Sequence, residues 1–148
     1  MENDLRNFLL LRRNQKSATA AGTSRHLQMQ HIIIDGETEQ GNTAVIAKVK
    51  AVPALLPLFS AVARTEVPVA GMINGKFVSR RLDRLLVNDA DKAVIFLDYK
   101  TDIDKNLFRE KYSFQMNEYT KLLQNIYPDY SVTGLILWLH DFTIEKIS

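Results

Sequence analysis

The sequence predicts an α/β protein built on a small mixed central sheet flanked by helices. Three observations carry that expectation. Short segments of strand character, separated by turn pairs, run from Glu66 to Lys100. A long helical pattern then occupies residues 104 to 127. After it comes VTGLILWL, Val132 to Leu139, an almost continuous apolar run that suits a strand covered on both faces.

Taken in order, residues 1 to 16 read as a helical arm or boundary segment, with Leu5, Phe8, Leu9 and Arg12 at helical spacing. Residues 17 to 148 form the main domain. A second helical stretch from Ser17 ends in the β-branched run Ile32-Ile33-Ile34, and Asp35-Gly36 breaks the chain. Residues 42 to 50 read as a helix with Val45, Ile46 and Val49 on one side. Pro53 opens a short helix carrying Leu55, Leu56, Leu58 and Phe59. Glu66 to Ile73 is extended, Asn74-Gly75 is a tight-turn pair, and Lys76 to Val87 returns as a hairpin partner. A turn at Asn88 to Asp91 leads into Ala93 to Lys100 and completes a three-strand meander. The helix at 104–127 is stopped by Pro128. The crossover from Lys100 through that helix to Val132 should be right-handed and make a parallel strand pair. Phe142 to Ile147 is expected as a short edge strand.

A chain of 148 residues fits one compact domain with a buried core. Cysteine is absent, which excludes disulfides, thiolate zinc sites and a cysteine nucleophile. No apolar run approaches the roughly 20 residues that span a bilayer, and the start MENDLRNFLLLRRNQ lacks a signal peptide's basic opening and cleavage site. A cytoplasmic protein without membrane contact is expected. The net charge of +2 is too small to argue for nucleic acid by itself, although Arg64, Arg80, Arg81 and Arg84 gather around an acidic motif. Standing alone, that cluster reads as a solvated basic face.

The sharpest feature is Asp98-Tyr99-Lys100 at the end of AVIFLDYK. Side chains alternate along a strand, so Asp98 and Lys100 share one face while Leu97 and Tyr99 share the other. The meander can set Asp83, in RRLDRLLV, beside Asp98 on the adjacent strand. Carboxylates that close repel each other unless a cation lies between them, and hard oxygen ligands favour magnesium or manganese. Such a cation polarises a phosphoryl oxygen and activates water, while Lys100 positions or deprotonates that water and offsets phosphate charge. Competing readings are plainer: polar residues often end strands, and Asp83 can pair with Arg81 or Arg84.

Five segments in order give the chain a resemblance to the PD-(D/E)XK nuclease superfamily, in particular the C-terminal nuclease domain of AddA- and RecB-type recombination helicase–nucleases. They are GTSRH at 22–26, TEVPVAG at 65–71, RLDRLLV at 81–87, IFLDYKTD at 95–102 and QMNEY at 115–119. The resemblance implies a restriction-endonuclease-like fold and a deoxyribonuclease that uses magnesium or manganese. His26, Asp83, Asp98 and the Tyr99 carbonyl would be metal ligands, and Glu66 would line the site. Lys100 would be the motif lysine, with Gln115 and Tyr119 on one helical face near it or near the DNA backbone. The implied role is exonuclease-like cleavage of DNA in double-strand-break repair, on strands or ends delivered by a helicase motor. No Walker A loop occurs in the sequence, so the chain would be an excised domain or a free-standing relative. The alternative is an inactive DNA-binding or assembly module that keeps the nuclease fold.

For single residues, plainer assignments stand beside these. His26 can be a structural histidine, Glu66 a partner of Arg64, and Tyr119 a core residue. His31, His140 and Trp138 read as structural. Where the family usually carries a glycine shortly before its first aspartate, this chain has Arg80.

Overall fold

A computed structural model describes residues 28–147. The expectations for residues 1–16, for the GTSRH segment and for His26 lie outside the described residues. Five strands make one mixed sheet in sequential order: β3 (Arg64–Ile73), β4 (Lys76–Asn88), β5 (Ala93–Lys100), β6 (Ser131–Trp138) and β7 (Thr143–Ile147). Neighbours are antiparallel except β5 and β6, which run parallel from Ala93↔Ser131 to Lys100↔Trp138. The expected meander, crossover helix, parallel strand and edge strand are all present.

Local chemistry explains the boundaries. Asn74 (φ 50°) and Gly75 (φ 78°) both take the left-handed backbone that a tight hairpin turn requires. Helix α1 (Thr43–Lys50) starts at Asn42, whose side chain accepts hydrogen bonds from the Ala44 and Val45 amides. Helix α2 (Lys105–Ile126) starts at Asp104, which accepts from the Leu107 amide, and stops just before Pro128. The segment at Pro53–Phe59 is a 3-10 helix. One expectation fails: Ile33 and Ile34 do not end a helix. They form β1 (Ile33–Asp35), paired with β2 (Thr38–Gln40) across Gly36 at φ 63°. Stiff β-branched side chains fit a pleated strand better than a helical turn, and here packing beneath the sheet rewards that preference.

Each face of the sheet has its own core. On one side Leu97, Tyr99, Leu135 and Leu137 pack with Ile46 and Val49 of α1, with Leu55, Leu58 and Phe59 of the 3-10 helix, and with Ile32. On the other, Phe96, Ile136, Trp138, Val67 and Leu82 pack under Met116, Tyr119, Leu122 and Leu123 of α2. Strands β5 and β6 therefore bury both faces, as their uninterrupted apolar character predicts. Among the described residues, no helix is long and apolar enough to cross a membrane.

Gly134 on β6 lies against the Phe96 ring, and a Cβ there would sit 2.4 Å from Phe96 Cζ. Gly134→Ala should therefore destabilise the protein by about 1–3 kcal/mol through overpacking. Denaturant unfolding tests this, and wild-type stability in the variant would contradict the close approach.

Candidate active site between β4, β5 and α2

The site begins with a fault in a strand. Leu82 and Arg84 are two residues apart, so a regular strand would point both to one face. Leu82 instead packs under α2, while Arg84 lies over the Phe59 ring at 3.9 Å in the opposite core. The alternation reverses at Asp83. Across the hairpin, Thr65 pairs with Arg84 and Val67 with Leu82, and Glu66 between them holds a left-handed φ of 52°. That conformation costs a non-glycine residue about 1–3 kcal/mol, and such strain clusters at functional sites.

Pairing of β4 with β5 runs from Asn88↔Ala93 to Arg84↔Leu97. Beyond it, the Asp83 carboxylate accepts the Tyr99 amide at 2.7 Å. A side chain thus stands in for the strand backbone, and Asp83 comes to rest beside Asp98. Both are buried, at 9% and 6% exposure. Burial foremost, and then the neighbouring Asp98 charge, push Asp83 from 3.8 up to about 8, against the lowering effect of the Tyr99 amide.

Asp98 and Lys100 share the α2 face, as alternation predicts. Lys100 Nζ lies 2.7 Å from Asp98 Oδ2 and donates to Gln115 Oε1 at 2.6 Å. Asp98 Oδ2 is buried, and the Lys100 ammonium is its ion-pair partner. Tyr119, on the same helix face as Gln115, is buried and meets Phe96 edge-on at 5.9 Å. Burial and then the Asp98 and Asp83 charges raise its hydroxyl well above the usual range, keeping it protonated. It serves the core and the site together. Glu66 stands at the edge with Oε2 3.7 Å from Arg81 Nη1, so its partner is Arg81 rather than Arg64.

The structure thus brings together Asp83, Asp98, Lys100, Gln115 and Tyr119, with Glu66 at the rim and the Tyr99 amide in the network. Asp83 and Asp98 are the hard-oxygen donors at its centre. Among the described residues, no cluster of three or more His, Cys, Asp or Glu side chains is gathered to hold a metal ion. His31 and His140 are exposed, and Trp138 is core.

The arginines do not form one basic face. Arg84 is fully buried, Arg80 reaches Glu118 at 3.3 Å, Arg81 approaches Glu66, and Arg64 is exposed. The reversal at Asp83 draws Arg84 through the sheet. Sequence reasoning did not single out Tyr112, which packs against the α2-side core with its ring 4.1 Å from Lys100 Nζ. Its position three residues before Gln115, hence on one helical face, was the available signal.

Two outcomes follow. The protonated form of Asp83 is favoured in the fold, so its stability contribution is full below about 4 and is lost as pH rises through about 8. Asp83→Asn should therefore melt higher than wild type at the alkaline end, with the difference shrinking as pH falls; a pH-independent difference would contradict the raised Asp83. Separately, Glu66→Gly should be more stable than Glu66→Ala by about 1 kcal/mol, since only glycine takes the left-handed backbone freely. Equal stability of the two variants would rule out that strain.

No family model matches the chain, and no curated protein matches it. Among solved structures, it is similar to the crystal structure of SSO0001, with 19% identity and a TM-score of 0.43 over 71% of this chain and 49% of that one. The chain spans about half the length of that protein.

Proposed function

We propose that this chain is a PD-(D/E)XK-type nuclease domain with a restriction-endonuclease-like fold, hydrolysing DNA phosphodiesters with magnesium or manganese. The observation that carries the reading is the buried Asp83–Asp98 pair at the split between β4 and β5, with Lys100 Nζ on the same face. Two buried carboxylates held that close suit a hard divalent cation. Asp83 and Asp98 would hold it, and His26 remains the third ligand that the sequence resemblance implies. When bound, the cation supplies Lewis-acid polarisation of the phosphoryl oxygen and a more acidic water.

The protein's own groups do the rest. The proton favoured on Asp83 must leave before both carboxylates can act as ligands, so cation affinity should rise with pH up to about 8. Lys100, gripped by Gln115, orients the attacking water and offsets charge on the phosphate. The Tyr119 hydroxyl, kept neutral, adds no negative charge near the scissile group. Beyond the site, the proposed role is exonuclease-like cleavage in double-strand-break repair, on strands or ends passed from a helicase motor.

Cleavage of a linear, end-labelled DNA should require magnesium or manganese and fall at least about a hundredfold in Asp98→Ala and in Lys100→Ala. Undiminished cleavage in both variants would sink the assignment. DNA binding by a wild-type protein that cleaves nothing would point instead to a non-catalytic module.

A further inference from the structure

Lys100 is a long, rotamer-rich side chain held at a fixed point, and its ammonium has three N–H bonds to place. Asp98 Oδ2 lies 2.7 Å away and Gln115 Oε1 2.6 Å away. The remaining close partner is the Tyr112 ring, whose centroid is 4.1 Å from Nζ, within the range of a strong cation–π contact. Tyr112 is itself braced. Its hydroxyl donates to Asp102, and its ring neighbours Phe108 at 5.8 Å and Trp138 at 6.0 Å. A packing role would need only the ring contacts; the hydroxyl bond to Asp102 also anchors the far end of the ring, so the side chain is held at both ends.

We propose that Tyr112, braced by Asp102, is a positioning residue for Lys100, its ring face serving as the third partner of the ammonium. The inference rests on the nuclease reading only for its kinetic consequence. Tyr112 and Gln115 lie three residues apart on α2, so one helical face delivers both contacts. Asp102 follows Lys100 by two residues, so the end of β5, the connecting loop and α2 are stitched together at this lysine. The choice of an aromatic partner has a chemical reason. A ring face attracts a cation through its quadrupole but carries no net charge. It can orient Lys100 without repelling an approaching phosphate, which a further carboxylate would do.

The test joins a spectroscopic signature with kinetics. In protein labelled with 13C-lysine, the Lys100 ε-methylene signal, assigned by its loss in Lys100→Arg, should be shifted upfield by the ring current of Tyr112. The shift should persist in Tyr112→Phe and disappear in Tyr112→Leu. In DNA cleavage, Tyr112→Leu should lower kcat by about tenfold with KM nearly unchanged, and Tyr112→Phe and Asp102→Asn should fall between it and wild type. An unshifted Lys100 signal in the wild-type protein overturns the inference, as does wild-type kcat in Tyr112→Leu beside an inactive Lys100→Ala. If the wild-type protein cleaves nothing, the nuclease reading falls, and the lysine signal alone decides for or against Tyr112.

Discussion

The Arg84 guanidinium lies beneath the sheet at 1% exposure, and the elements around the site are assembled on it. Its nitrogens donate to the Leu58 carbonyl at 3.0 Å, to the Met29 and Ile32 carbonyls at 2.8 Å each, and to the Tyr99 hydroxyl at 2.7 Å. Its plane rests on Phe59. Burying a cation is costly unless its donors are satisfied. Here carbonyls, a hydroxyl and a ring face meet that requirement, and they come from three separate stretches of chain. One side chain on β4 therefore ties together the 3-10 helix, the segment entering β1, and β5.

The position of Asp83 follows from the same event. Because the alternation of β4 reverses between Leu82 and Arg84, the guanidinium passes to one side of the sheet and the neighbouring carboxylate is left to meet Asp98 and the Tyr99 amide. Tyr99 joins the two: its hydroxyl accepts from Arg84 and its amide donates to Asp83. The strained Glu66 backbone opposite belongs to this arrangement too. Strain at Glu66 and the crowding of two buried carboxylates both oppose folding, and the two cores must offset them. Local features that lower stability, held in place by a packed scaffold, are what a binding or catalytic centre requires.

Much of this was legible in the residues. The period-two pattern of AVIFLDYK placed Asp98 and Lys100 on one face, Asn74-Gly75 placed the hairpin, and VTGLILWL announced a strand buried on both sides. Gln115 and Tyr119 share a helix face because four residues make about one helical turn, and α2 does present both toward the site. The reading of Arg84 as part of a solvated basic face failed because a reversal of alternation leaves no mark in a hydropathy pattern. The reading of Ile33 and Ile34 as helical failed because a short apolar run fits either element until a partner strand is present.

By itself, then, the sequence determined the order and type of the elements and the shared faces of neighbouring residues, since these depend on local periodicity and turn chemistry. Only the tertiary structure decided that the Asp83 carboxylate would take the Tyr99 amide, that Arg84 would cross the sheet, and that Tyr112 would lay its ring against Lys100. Those outcomes depend on where β4 parts from β5 and on what α2 lays over the gap. They are contacts between residues distant in the chain, and no local pattern encodes them.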